Sequence, residues 1–249
     1  MPRCPLSGEI GAEINEESRP ARTPSRWIAD QAEPNPYRQA LHRLAAELRT
    51  ITALLSETAA SAELLDDLAA DAARLRERLA AAPGGRLRTR YRSEADGPAG
   101  ADERVFLDTS PLIGRANPVA PPLRLSLDGE TVRGVCVFSR AYEGPPGCVH
   151  GGFIAAAFDE LLGATQSTTA RPGMTGRLTV RYRHPVPLNR EIVFAGWLTR
   201  VDGRKILTEA TLKLDGVLHA EAEGLFVSVD PSRLKPRHPS PVGKGGFEG

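Results

Sequence analysis

The stretch HGGFIAAAFDELL, residues 150–162, is a helical segment inside a part of the chain that otherwise has the pattern of strands. Its run from Phe153 to Leu162 is rich in alanine and is apolar nearly all the way round a helix. A helix without a polar face has to be covered on most sides, so it cannot simply lie on a surface. We therefore predict that a sheet wraps around this helix.

The sequence on both sides of the helix predicts that sheet. Asp-Gly pairs at 128–129, 202–203 and 215–216 lie between runs of alternating apolar residues, which is a strong signal for β-hairpins. The alternation predicts six strands, over 123–127, 132–138, 178–182, 191–201, 205–214 and 217–229. The predicted order is two strands, the helix and four strands. This order indicates an α+β domain in which an antiparallel six-stranded sheet curls around one central helix.

The part of the chain before this domain has helical periodicity. Asn35 and Pro36 have the residue types of an N-cap and a first helical position, and a Pro-Gly-Gly sequence at 83–85 ends the periodic region. Two apolar stripes have the spacing of helix faces: Leu41, Leu44, Leu48, Ile51 and Leu55, then Leu64, Leu68, Ala72, Leu75 and Leu79. We predict an N-terminal helical extension over 36–82, as a helix pair or one long broken helix. We expect it to pack on the rest of the protein or on a second copy.

The remaining segments complete the predicted domain plan. Residues 1–35 mix Pro, Ser, Arg and Glu without a period and are expected to form a disordered tail. Residues 83–102 form a linker rich in Gly, Pro and Arg. The α+β domain is then expected over 103–230, and a second disordered tail over 231–249.

Composition excludes several classes of protein. The 32 basic and 31 acidic residues give a net charge of +1, without the basic excess typical of a DNA-binding protein, so no nucleic-acid partner is expected. No apolar run approaches the ~20 residues that a membrane span needs. The first thirty residues carry five acids and no apolar block, which argues against a secretory signal. Cys4, Cys136 and Cys148 are unpaired in number and spacing, so we expect no disulfide framework, no metal site and a reducing cytoplasm.

Two acidic residues stand out in the predicted central helix. Asp159 and Glu160 are its only charges between Phe153 and Leu162, and burying a carboxylate without partners costs several kcal/mol. Consecutive helical residues point ~100° apart, so the two cannot share one environment. We expect one of them to face a functional site and the other to reach solvent at the helix flank. The residues alone leave both Asp159 and Glu160 as candidates for that role.

The start of the same helix offers a different chemistry. Gly151 and Gly152 let a substrate approach bare backbone N–H groups, which would suit a developing oxyanion at the positive end of the helix dipole. Asp159 lies eight residues beyond Gly151, about 12 Å along the axis, whereas reacting atoms must come within ~3–3.5 Å of each other. If both groups serve one reaction, they come from two chains. The reaction then requires a dimer with paired antiparallel central helices.

These motifs resemble a known family. Residues 150–159, HGGFIAAAFD, resemble the helix motif of hotdog-fold acyl-CoA thioesterases of the PaaI-like type. Residues 174–188, MTGRLTVRYRHPVPL, are similar to the strand that follows it and to the family's Tyr-x-x-Pro-x-Pro-Leu ending. The segment NPVAPPL at 117–123 is similar to one seen in some members. The resemblance covers about residues 108–230. It implies the hotdog fold and hydrolysis of acyl-CoA to free acid and CoA.

The resemblance also implies roles for individual residues. Asp159 matches the catalytic acid, which acts as general base on water or as nucleophile on the thioester. The backbone N–H of Gly151 matches the donor that polarises the thioester carbonyl. His150 matches a histidine that positions this carbonyl or the loop, and Thr175 matches a hydroxyl that orients the water. Glu143 and Gly144 occupy the neighbourhood in which some relatives carry Asn or Gln.

The substrate and its partners follow from the same likeness. Gly152 would allow close approach of the substrate, and basic residues would hold the phosphates of coenzyme A. The candidates are Arg181, Arg183, Arg204 and Lys205. Family sites lie between two subunits, which implies a homodimer or a dimer of dimers. The chemistry needs no cofactor, and no membrane partner is expected.

Two other functions are compatible with these motifs. One is a protein that binds acyl-CoA without hydrolysing it and signals to a partner through the helices at 36–82. The other is a hotdog dehydratase, although no second histidine stands at a matching place.

Overall fold

The computed structural model describes residues 36–82, 108–121, 123–171 and 173–229. The predicted tails at 1–35 and 231–249 and the linker at 83–102 lie outside the described residues, as do Asn35 and Cys4.

The described chain contains three α-helices and six strands. The helices are α1 (Pro36–Leu55), α2 (Ala62–Ala80) and α3 (Gly151–Ser167). The strands are β1 (Arg124–Asp128), β2 (Thr131–Val137), β3 (Gly173–Tyr182), β4 (Glu191–Asp202), β5 (Lys205–Leu214) and β6 (Val217–Ser228). They form one antiparallel sheet in the order β1-β2-β4-β5-β6-β3. The predicted hotdog fold, with six strands around a central helix, is therefore confirmed.

The core of the domain lies between the concave side of this sheet and α3. Ala157, Phe158, Leu161 and Leu162 on α3 have no exposed surface, and five of the six strands, β2 to β6, contact the helix. Aromatic rings of Phe158 and Phe194 meet edge to face at 5.2 Å, which joins the helix to β4. The helix α3 is apolar nearly all the way round because it is buried on most sides.

Two elements extend further than their sequence pattern predicts. The strand β3 begins at Gly173 rather than at Leu178, because a bulge between Thr175 and Arg177 interrupts the alternation. The helix α3 continues past Leu162 to Ser167. The hydroxyl of Thr165, a buried polar residue of this last part, finds its partner within the helix, since it donates to the carbonyl of Leu161 at 2.8 Å.

The hairpin connecting β5 to β6 shows why Asp-Gly is a reliable turn signal. Asp215 and Gly216 have φ angles of 49° and 80°, the left-handed conformation that a two-residue hairpin of matching twist requires at both positions. Glycine adopts this conformation without steric cost, and aspartate tolerates it better than most residues.

The N-terminal extension consists of two helices joined at 56–61. Its first helix, α1, packs through a face that differs from the leucine stripe, because its buried residues are Arg38, His42 and Ala45. Ile51 and Leu55 on the leucine stripe remain more than half exposed. None of the residues of α2 is buried. The contact of α1 with the domain therefore includes buried polar side chains as well as Ala45, while Leu41, Leu44 and Leu48 are half-buried.

No helix in the described ranges is both long enough and apolar enough to cross a lipid bilayer.

Candidate active site at the start and flank of the central helix

The N-terminus of α3 leaves one backbone donor open. His150 is the N-cap, and its Nδ1 accepts the Gly152 N–H at 3.0 Å. Its carbonyl accepts the N–H groups of Phe153 at 3.0 Å and of Ile154 at 3.4 Å. Among the described residues, the structure gives no acceptor for the N–H of Gly151, the first residue of the helix. This amide is therefore a bare donor at the positive end of the helix dipole.

The cap fixes the hydrogen-bonding state of the His150 ring. Because Nδ1 accepts the Gly152 N–H, the neutral imidazole carries its proton on Nε2. The Nε2–H is consequently a second hydrogen-bond donor on the N-cap residue.

The loop before His150 is fixed by two hydrogen bonds within the loop and by the close approach of Gly144 to His150. The Glu143 carboxylate accepts the Gly147 N–H at 2.6 Å, and Gly144 N–H donates to the carbonyl of Cys148 at 2.9 Å. A Cβ at Gly144 would lie 2.7 Å from the Cα of His150, so only glycine fits there without moving the N-cap. The positions at which some relatives carry Asn or Gln thus support the loop in this chain.

Tyr182, to which the sequence assigned no role, closes one side of the helix start. Its hydroxyl donates to the carbonyl of Gly151 at 2.7 Å, and a Cβ at Gly151 would touch its ring at 3.4 Å. Burial raises the pKa of the Tyr182 hydroxyl, which keeps it a donor at neutral pH. The sequence signal that could have indicated a role for Tyr182 is its place as the first residue of the Tyr-x-x-Pro-x-Pro-Leu sequence, at the end of β3.

Asp159 lies on the flank of α3 that faces β3. The Thr175 hydroxyl donates to Asp159 Oδ1 at 2.9 Å. Asp159 is half-buried and Thr175 is exposed in the single chain. The structure therefore brings together the predicted acid and the predicted hydroxyl, at an open edge of the molecule.

Glu160 points to a different neighbour. Its Oε1 accepts a hydrogen bond at 3.2 Å from Ser110, a residue that is only 3% exposed. Glu160 itself is half-buried, as Asp159 is, so neither carboxylate reaches solvent freely. The two carboxylates thus lie in different environments, with the loop at 108–121 beside Glu160 and the exposed Thr175 beside Asp159.

The two halves of the candidate site are not together in one chain. Gly151 and Asp159 are eight residues apart on one helix, which corresponds to about 12 Å of axial rise. The strand beside Asp159, β3, is at the end of the sheet and has one side without a partner strand in the described chain. Met174 and Tyr182 on this strand are 55% and 50% exposed. A long edge strand of this kind is a template for pairing with another chain.

The predicted phosphate-binding residues are dispersed. Arg181 and Arg183 both bind Oε1 of Glu221, at 3.0 and 2.6 Å. Arg204 and Lys205 lie at the β4–β5 hairpin, where Arg204 Nε donates to the carbonyl of Ser228 at 3.1 Å. Gly152 is exposed beside the His150 ring. A role of these residues in substrate binding stays a prediction.

Comparison with known proteins supports this assignment of the fold. The profile of the thioesterase superfamily matches residues 146–218, a range that includes His150, Gly151, Asp159 and Thr175. Acyl-coenzyme A thioesterase THEM4 of Xenopus laevis is 37% identical over 103 residues, which cover 40% of this chain and 46% of that protein. THEM4 of Bos taurus is 34% identical over 105 residues, covering 41% and 43%. The chain thus spans less than half the length of these curated relatives.

A solved structure extends the likeness beyond that range. A crystal structure described as a thioesterase superfamily protein is 31% identical, with a TM-score of 0.59. The match covers 79% of this chain and 97% of that one. Because a relative of this identity is matched over nearly its whole length, the chain belongs to the thioesterase superfamily.

Proposed function

We propose that this protein hydrolyses acyl-CoA thioesters to a free acid and CoA, at a site shared by two chains. The observation that carries the proposal is the open Gly151 N–H at a capped helix start, combined with an Asp159 carboxylate held by Thr175 on the helix flank. The substrate class is supported by the curated relatives, which are named acyl-coenzyme A thioesterases.

The helix start of one chain polarises the thioester carbonyl. The Gly152 N–H is occupied by His150 Nδ1, so the Gly151 N–H is the amide that donates to the carbonyl oxygen. The His150 Nε2–H is positioned as a second donor. As the tetrahedral intermediate forms, negative charge develops on this oxygen, and the helix dipole stabilises it.

Asp159 of the other chain drives the attack. As a general base, its carboxylate takes a proton from water while the water oxygen bonds to the carbonyl carbon. The intermediate then collapses, the C–S bond breaks, and the thiolate of CoA leaves and takes up a proton. As a nucleophile, the carboxylate would itself bond to the carbon, the C–S bond would break, and the thiolate of CoA would leave and take up a proton. Water would then hydrolyse the resulting anhydride to the free acid and restore the Asp159 carboxylate. In both routes Thr175 holds Oδ1, which leaves Oδ2 to act.

The dimer follows from the separation of the two groups. About 12 Å along one helix is several times the ~3–3.5 Å that reacting atoms require. An antiparallel arrangement of two α3 helices brings the N-terminus of each near the Asp159 flank of the other. The open edge of β3, which carries Thr175, supplies the surface for such pairing.

A pair of substitutions at Gly151 tests the proposal. Gly151→Pro removes the N–H, and proline fits the first position of a helix here because His150 already has the extended φ and ψ of −62° and 130° that a following proline requires. We expect it to lower kcat for CoA release by about 10²–10³-fold, as loss of an oxyanion donor does. Gly151→Ala keeps the N–H, and its Cβ meets Tyr182 at an ordinary 3.4 Å.

Gly151→Ala serves as the control for Gly151→Pro. Gly151→Ala is expected to retain activity within about threefold, because the amide donor is intact. Equal activity of the two variants would exclude the Gly151 N–H from the reaction. Tight binding of an acyl-CoA panel without any release of thiol would replace hydrolysis by a binding function.

A further inference from the structure

The helix α1 is joined to the domain through buried ionic contacts. Arg38 Nε donates to Asp108 Oδ2 at 2.6 Å, and His42 Nε2 contacts Asp108 Oδ1 at 2.8 Å. All three residues are less than a tenth exposed. Buried charges are costly unless they are paired, so this cluster ties α1 specifically to the start of the loop at 108–121.

A third contact joins α1 to the end of the same loop. Arg49 Nε donates to the carbonyl of Ala120 at 2.7 Å, and its Nη2 donates to the carbonyl of Asn117 at 2.9 Å. Asn117 also accepts the N–H of Val119 on its side-chain oxygen at 3.0 Å. The two donors of the Arg49 guanidinium thus bind the first and the last residue of a tight turn over 117–120.

This turn is connected to the start of α3 through Tyr142. The Tyr142 hydroxyl donates to the carbonyl of Val119, inside the turn, at 3.0 Å. Its backbone carbonyl accepts the N–H of His150 at 2.9 Å, and its ring meets Phe153 edge to face at 4.9 Å. Every link from Arg49 to the N-cap is therefore a hydrogen bond or a ring contact.

The Tyr142 hydroxyl remains a donor under ordinary conditions. Burial raises its pKa to about 12, and the positive charge of nearby Arg49 opposes this increase. Tyr142 is 4% exposed, so water cannot easily replace the Val119 carbonyl as its partner.

We propose that Arg49 is a positioning residue of the thioesterase site. It holds the turn at 117–120, the turn holds Tyr142, and Tyr142 holds His150 and with it the direction of the Gly151 N–H. The inference rests on the proposed function. This proposal gives α1 a role in catalysis, although α1 lies outside residues 146–218, the range that matches the family.

The test uses the full chain and three variants. Arg49→Met keeps most of the apolar stem and removes both hydrogen bonds. Arg49→Lys restores one donor. Arg43→Met is the matched control, because Arg43 is exposed on the same helix. We measure kcat and KM for CoA release, and hydrogen exchange of the peptide covering 142–154.

We expect Arg49→Met to lower kcat about 10-fold with KM changed less than twofold, since misdirected donors affect the transition state more than substrate binding. The amide of His150 should exchange at least ~10-fold faster, while peptides of β4 and β5 are unchanged. Arg49→Lys should recover most of kcat, and Arg43→Met should equal the wild type.

The inference is overturned if Arg49→Met has the kcat of the wild type and the same exchange in residues 142–154. An equal loss in Arg43→Met would also overturn it. Faster exchange in a protein whose wild type releases no CoA would support the connection through Tyr142 and refute the proposed function, so the two failures are distinguishable.

Discussion

The two flanks of α3 carry neighbouring carboxylates in contrasting surroundings. Asp159 faces an edge strand and takes a hydrogen bond from the exposed Thr175. Glu160 faces a loop of its own chain and takes one from the buried Ser110. One flank is left open where a second chain can complete it, and the other is closed by the loop on which α1 packs.

The contrast teaches that the surroundings of a carboxylate, more than its position in the sequence, determine its role. The ~100° between successive helical residues is enough to place two neighbouring carboxylates in different surroundings. Each of the following variants tests whether the two flanks differ in the way described.

The largest effect is expected from Asp159→Asn. The amide keeps the shape of the side chain and can still accept from Thr175, but it can neither take a proton from water nor attack the thioester. We expect CoA release to fall at least ~10²-fold, on the scale of losing a general base. A thiol assay with acyl-CoA measures it, and size-exclusion chromatography checks that assembly is preserved. Unchanged turnover would remove Asp159 from the mechanism.

A smaller loss is expected from Thr175→Val. Valine has nearly the same shape and a high β propensity, so only the hydrogen bond to Asp159 Oδ1 is removed. We expect kcat to fall about 10-fold, in the range of one hydrogen bond to a charged group. Thr179→Val, on the same strand and also exposed, is the control and should be unaffected. Equal losses in both would indicate a general effect on β3.

The smallest effect is expected from Glu160→Gln. Glutamine can still accept the Ser110 hydrogen bond, so the closed flank is preserved while the negative charge is lost. We expect kcat within about twofold of the wild type, because no proton transfer is assigned to this residue. Steady-state thiol release measures it. A loss as large as that of Asp159→Asn would exchange the roles of the two flanks.

Local patterns predicted most of the fold. Asp-Gly turns, strand alternation and the apolar helix are short-range signals, and they identified all six strands and α3. The early start of β3 was missed because the bulge after Thr175 breaks the alternation. The buried face of α1 was missed because Arg38 and His42 are buried where they contact Asp108, which lies far away in the sequence.

The candidate site was less accessible to sequence reasoning. Spacing alone could place Gly151 at a helix start and separate it from Asp159, and only a family resemblance pointed to Thr175. The hydrogen bonds of Tyr142 and Tyr182 cross between elements, so no local pattern indicates them. Contacts of this kind depend on the completed fold.

The central claim, that each site is built from two chains, is tested most directly by mixing two inactive variants. Chains carrying Asp159→Asn are co-assembled with chains carrying Gly151→Pro, and CoA release is compared with that of each variant alone. Random assembly of equal amounts of the two variants makes about half of the dimers mixed. Each mixed dimer has one intact site of two, so we expect roughly a quarter of wild-type activity. Activity no greater than the average of the separate variants would contradict it.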